Sequence, residues 1–150
     1  MNEEPDMDVA GSRRSVLVVD DAPAIRMRIG RFVAETAGLV LAGYAEDADG
    51  AIAQIERNPP DAVLLDVSLG EQRGLDVLLH VARHHPEVRV AVLSNFGWPA
   101  IREGFLLAGA EAYFDKAHEF ADALDWLSAL ASGTPATDAL FSNAEAKAVG

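Results

Sequence analysis

Apolar residues along this chain come in two alternating rhythms. Val16, Leu17, Val18 and Val19 form a continuous, mostly β-branched run, the mark of a strand covered on both faces. Pro23 follows where a helix can begin, because its missing N–H would be unpaired in the first turn anyway. Ile25, Ile29, Phe32, Val33 and Thr36 then recur at helical spacing, with Arg26, Arg28, Arg31 and Glu35 between them, until Gly38 closes the helix. The same alternation continues to residue 131. Strands are predicted at "LVLAGYA" (39–45), "AVLLD" (62–66), "VRVAVLS" (88–94) and "EAYFDK" (111–116), and helices over 47–57, 75–84, 99–108 and 119–131. Five successive βα units imply a mostly parallel sheet with helices on both faces and right-handed crossovers.

Outside this pattern, residues 1–14 are acidic and polar, and 132–150 are small, polar and alanine-rich. Both are expected to be loose, leaving one domain over 15–131. At 150 residues and 15.9 kDa the chain suffices for one well-buried core. No apolar run approaches the ~20 residues that span a bilayer, so no membrane insertion is expected. A formal net charge of −12 without a basic stripe argues against binding nucleic acid. The absence of cysteine excludes disulfides and thiolate chemistry and fits a cytoplasmic protein.

The acids matter most where the strands end. Ligands of open α/β sheets bind outside the carboxyl ends of the strands, where strand order reverses. Asp20 and Asp21 end the first strand and Asp66 the third. With strand order 2-1-3-4-5 those strands are neighbours, and like charges ~4 Å apart repel by about 4 kcal/mol at an effective dielectric near 20. Such a cluster calls for a cation, and hard oxygen ligands without a nearby imidazole favour Mg²⁺. Ser94 and Lys116 arrive at two further strand ends, offering a hydroxyl and an ammonium. Together these groups can hold a tetrahedral anion, with Asp66 as a candidate phosphoryl acceptor.

These fragments resemble the receiver domain of two-component response regulators, the flavodoxin-like fold of the chemotaxis response regulator. The resemblance rests on "VVDD", "LLD" at Asp66, "GLD" at 74–76, "LS" ending at Ser94, "GA" at 109–110 and "AYFDK" ending at Lys116. It implies that Asp20, Asp21, Asp66 and the Ser68 backbone carbonyl hold Mg²⁺, and that Asp66 is phosphorylated. It further implies Ser94 as the switch hydroxyl, Asn95 beside the phosphorylation site, Tyr113 as the switch aromatic and Lys116 as the phosphate-pairing lysine. The implied partners are a histidine kinase or histidine phosphotransfer protein, together with a protein target. Residues 132–150 are too few for a further effector domain, so a single-domain regulator or phosphorelay member is expected.

Three positions depart from the family pattern. Ala117 follows the lysine where proline is frequent, Gly70 stands where proline is common and is expected to loosen the loop, and Asn95 replaces a smaller residue. Two other functions compete. One is a degenerate receiver serving as a scaffold. The other is an aspartyl-phosphate hydrolase, against which Ser68 stands where a second acid belongs. Plainer readings remain for single residues: Asp20 and Asp21 as a turn and helix cap, and Tyr113 as core. Trp98 and Trp126 are either half-buried packing residues or anchors on a partner surface. His80 and His84, four apart, are read as a solvated helix end because no third ligand lies near in sequence.

Overall fold

Each apolar run becomes a strand in the computed structural model, which describes residues 13–133. The elements are β1 (Arg14–Val19), α1 (Pro23–Glu35), β2 (Leu39–Ala45), α2 (Ala48–Arg57), β3 (Ala62–Leu65), β4 (Ser68–Leu69), β5 (Gln72–Arg73), α3 (Gly74–His84), β6 (Arg89–Ser94), α4 (Pro99–Leu107), β7 (Ala112–Asp115) and α5 (Phe120–Ala131). The five long strands form one parallel sheet in the order β2-β1-β3-β6-β7, the order expected from the sequence. This is the flavodoxin-like receiver fold. The tail residues Leu140 and Phe141, like all of 1–12 and 134–150, lie outside the described residues.

Successive strand residues point to opposite faces, which divides the core in two. Leu17, Val19, Val63, Leu65, Val90 and Val92 pack with Ile55 of α2, Val77, Leu78 and Val81 of α3, and Phe105 of α4. Val16, Val18, Leu64, Ala91 and Leu93 pack with Ile29 and Val33 of α1 and with Ala123, Trp126, Leu127 and Leu130 of α5. Burying each large side chain contributes roughly 1.5–3 kcal/mol, so both layers are needed to hold the strand ends in place.

Local chemistry sets the helix ends. Pro23 and Pro99 open α1 and α4, and Asp47 caps α2 by accepting the Gly50 N–H at 2.7 Å. Gly38 reverses the chain after α1 at φ 93°, a conformation that suits a residue without Cβ.

Two local features were not anticipated from the sequence. The sequence pattern contains no hint of the antiparallel hairpin β4–β5, in which Ser68 faces Arg73 and Leu69 faces Gln72. Gly70, expected to loosen this segment, belongs to that hairpin's turn. With φ 66° at Gly70 and no positive φ at Glu71, it makes the first corner of a two-residue turn of the II′ kind. Among the described residues no helix is long and apolar enough to cross a membrane.

Candidate functional site

The sheet carries its backbone pairing one residue past β1 and β3, and that extra step positions the acids. The Asp20 N–H donates to the Ala45 carbonyl at 3.0 Å and the Asp66 N–H to the Val19 carbonyl at 2.9 Å. Both carboxylates are thereby fixed at the carboxyl edge of adjacent strands and are nearly buried, at 2% and 6% exposure. Asp21, the next residue, stays exposed, and its Oδ2 accepts the Gly70 N–H across the cleft at 3.1 Å. Oxygens of Asp20, Asp21 and Asp66 all lie within 4.8 Å of one another. The tight start of α3 closes one wall: a Cβ on Gly74 would sit 2.0 Å from the Asp66 carbonyl oxygen, so glycine is required there.

Lys116 enters from the far side. Its N–H donates to the Ser94 carbonyl at 2.8 Å, extending the β6–β7 pairing by one residue. Its Nζ then lies 2.8 Å from Asp20 Oδ2 and 3.2 Å from Asp66 Oδ2. One ammonium therefore bridges two carboxylates from different strands. Burial opposes the charge on Lys116, but the hydrogen bonds and charges of Asp20 and Asp66 outweigh it and hold its pKa above the usual lysine value. In Asp66 the same upward direction favours the neutral form instead. Burial, followed by the negative charge of Asp20, raises its carboxyl above the ordinary range, and Lys116 only partly offsets this.

The remaining polar atoms of the acids are also held. Asp20 Oδ1 accepts the Ala22 N–H at 2.9 Å, and Arg26 Nη1 donates to the Asp20 carbonyl at 2.7 Å. The Ser68 N–H reaches Asp66 Oδ1 at 3.4 Å, which brings the Ser68 backbone beside the cluster. Arg26 was not among the residues singled out from sequence. Its signal was its place one turn into the helix that follows the acid pair.

Ser94 is fully buried at the end of β6, and its Oγ accepts the Phe96 N–H at 2.9 Å. Tyr113 is buried too, and its hydroxyl donates to the Phe96 carbonyl at 2.5 Å. Burial raises the Tyr113 phenol against the influence of a hydrogen bond with Ser94. Tyr113 is thus both core and hydrogen-bonded to the segment just past Ser94. Asn95 is exposed in that segment. After Lys116 the peptide is trans, and Asp115 Oδ1 accepts the Ala117 N–H at 2.8 Å.

The two tryptophans separate. Trp98, 66% exposed at the start of α4, lies with its ring 6.1 Å from that of Phe96. Trp126 is 1% exposed and is no part of a partner surface. It sits within the α5 layer of the core, and its indole N–H donates to Glu111 Oε2 at 3.0 Å. That single acceptor satisfies the polar edge, so the whole ring is buried.

The donor set at the cleft consists of carboxylate oxygens, and no imidazole belongs to this cluster. That suits a hard divalent cation such as Mg²⁺, which receiver domains generally bind at an acidic pocket.

Comparison with known proteins agrees with this geometry. The response regulator receiver domain family model matches residues 16–127. The chain is 29% identical over 103 residues to the chemotaxis protein CheY of Thermotoga maritima, covering 69% of this chain and 85% of that protein. It is 34% identical over 125 residues to the acid tolerance regulatory protein ActR of Sinorhizobium medicae, covering 83% of this chain and 62% of that one. It is 32% identical over 101 residues to the response regulator GacA of Pseudomonas viridiflava, covering 67% and 47%. The chain therefore spans about half the length of GacA and less than two thirds of ActR. Among solved structures, the receiver domain of the putative response regulator NarL from Mycobacterium tuberculosis superposes with a TM-score of 0.73 at 26% identity, covering 81% of this chain and 98% of that one. CheY in the CheX–CheY–BeF₃⁻–Mg²⁺ complex from Borrelia burgdorferi shares the fold, with a TM-score of 0.71 at 22% identity, covering 77% and 87%.

Proposed function

This chain belongs to the response regulator receiver domain family, and on that premise we propose that Asp66 accepts a phosphoryl group from a phosphohistidine of a kinase or phosphotransfer protein. The observation that carries the proposal is the bridge from Lys116 Nζ to Asp20 at 2.8 Å and Asp66 at 3.2 Å. An Asp66 oxygen attacks phosphorus, the P–N bond to the donor imidazole breaks, and that imidazole leaves with the electron pair and takes up a proton. An acyl phosphate on Asp66 results. Asp20, Asp21, Asp66 and the Ser68 carbonyl would hold Mg²⁺, which when bound neutralises charge on the transferring group. Lys116 is close enough to exchange its contact with Asp66 for one with a phosphoryl oxygen. The raised pKa of Asp66 reflects its burial and the charge of Asp20, and the acyl phosphate, a mixed anhydride that brings further negative charge, would lean on Lys116 and a bound cation for compensation.

The domain spans 15–131 in this reading, and its output is protein–protein contact or onward phosphoryl transfer in the cytoplasm. Ser94 can gain a charge-assisted hydrogen bond by turning toward the phosphoryl oxygens. The Phe96 backbone, held by both Ser94 and Tyr113, links that turn to the start of α4. There Phe96 and Trp98 stand exposed, as does Leu107 at the far end of α4, and they suit a protein target.

Incubation with a small-molecule phosphodonor and Mg²⁺, followed by intact-mass measurement, tests the assignment. Wild type gains one phosphoryl group and Asp66→Asn gains none. A stable phosphate on Asp66→Asn overturns Asp66 as the acceptor.

A further inference from the structure

At the other end of the molecule a second constellation assembles from residues that the acidic cleft does not use. Helix C-termini lie opposite the strand C-termini in a βα fold, so the last turns of α2 and α3 meet far from Asp66. Glu56 is the penultimate residue of α2, His80 lies on α3, and His85 caps its end. Both imidazoles approach one and the same atom: His80 Nε2 is 2.7 Å and His85 Nε2 2.6 Å from Glu56 Oε2. We propose that Glu56, His80 and His85 form a second metal site, suited to a transition-metal dication and above all Zn²⁺.

The geometry supports this in three ways. The three ligand atoms lie within 4.8 Å of one another. Their side chains are 50% (Glu56), 21% (His80) and 16% (His85) exposed, so the imidazoles are held by packing while the carboxylate side faces solvent and admits an ion. Tetrahedral bonds of about 2.0–2.1 Å set ligand atoms roughly 3.3 Å apart, so the present contacts need open by only about 0.6 Å. Side-chain rotation of the half-exposed Glu56 can supply that.

The chemistry selects the ion. Two imidazole nitrogens and one carboxylate oxygen are the donor set of three-ligand zinc sites, with water in the fourth position. Imidazole prefers zinc, copper and nickel to magnesium, the reverse of the all-oxygen cluster at the other end. A metal on each Nε2 requires the remaining ring proton on Nδ1. His85 Nδ1 lies 4.0 Å from Oε2 of the exposed Glu87, an ion-pair distance too long for a hydrogen bond as it stands. His84, whose ring centroid is 4.7 Å from that of His80, is exposed and lies outside the triad. A bound ion would clip α2 to α3 without touching the phosphoacceptor.

Tag-free protein in millimolar Mg²⁺, which occupies the acidic cleft, is titrated with Zn²⁺ by calorimetry and with Co²⁺ by visible absorption. The expected result is one Zn²⁺ per chain with a Kd below about 10 μM and intense tetrahedral Co²⁺ bands. At Zn²⁺ about 100-fold above Kd, Tm should rise by roughly 10 °C. His80→Gln, His85→Gln and Glu56→Gln should each weaken Zn²⁺ at least about 100-fold and abolish the Co²⁺ bands, while phosphodonor labelling of Asp66 continues. Should Glu56→Gln fail to fold, Glu56→Asp keeps the charge but withdraws the oxygen and should give the same loss. Wild type with no Zn²⁺ binding below about 100 μM, or variants that bind as wild type does, would overturn the site.

Discussion

Val18, Val19, Leu64 and Leu65 lie inside the molecule among aliphatic side chains, whereas one residue further along the same strands Asp20 and Asp66 carry charge at almost the same depth. The backbone pairing hardly changes across that step, but the energetics reverse. Below it each side chain gains by leaving water. Above it each carboxylate is held by the sheet in a place where burial and its neighbour disfavour its charge, and Lys116 is the principal compensation. The layer below supplies stability, and the layer above stores an electrostatic cost that a cation would relieve.

The largest test of this contrast lies in the apolar layer. Leu64→Ala should cost about 3 kcal/mol in urea unfolding through lost burial and a residual cavity, while the folded fraction still accepts phosphate on Asp66. A loss below about 1 kcal/mol would mean the layer is loosely packed.

In the charged layer, Lys116→Met should cost about 2 kcal/mol in metal-free protein near neutral pH, because two nearly buried carboxylates lose their shared cation. The cost should shrink as pH falls and the acids protonate, and Mg²⁺ should restore part of it. A loss that does not vary with pH would show that the lysine acts by packing alone.

Asp66→Asn should act with the opposite sign. The Asp66 pKa is raised in the folded state, so its favourable contribution is fully present below the unfolded pKa and is lost as pH rises through the folded one. The variant, which cannot ionise, should therefore match wild type in acid. It should exceed wild type by on the order of 1 kcal/mol at neutral pH without metal. Unfolding curves from pH 3 to pH 8 check this, and equal stability at every pH would remove the stored cost.

The smallest effect concerns the tryptophans. With Trp126→Phe and Trp98→Phe as single-tryptophan variants, emission is recorded as beryllofluoride and Mg²⁺ are added. The protein retaining Trp98 should respond, because Trp98 follows the Phe96 segment held by Ser94 and Tyr113. The protein retaining Trp126 should respond less, its ring being enclosed in the core. A silent Trp98 in the presence of bound beryllofluoride would show that α4 does not carry the change, and an intact response in Ser94→Ala would discharge the serine.

Asp20, Asp66, Ser94 and Lys116 were legible in the sequence because each follows a short apolar run, and strand ends in a parallel sheet converge by topology alone. Trp126 was not legible. From sequence it was either a half-buried packing residue or a partner anchor, and only Glu111, on the approach to β7, supplies the acceptor that lets the indole be buried. The β4–β5 hairpin was hidden for a related reason: two-residue strands have no hydrophobic period, and Gly70 reads equally as slack or as a tight corner until its φ is known.

His80 and His84 read from sequence as a solvated helix end, whereas the fold sets His80 and His85 against Glu56 from a different helix. Sequence by itself determined the order of strands and helices, the two-faced core and the acids that end the strands, since these follow from local periodicity and from the handedness of crossovers. Tertiary structure alone decided which charges share an ammonium, which tryptophan is covered and which imidazoles meet a carboxylate. Those depend on distances between residues far apart in the chain, set by how helices of particular length and tilt settle on the sheet.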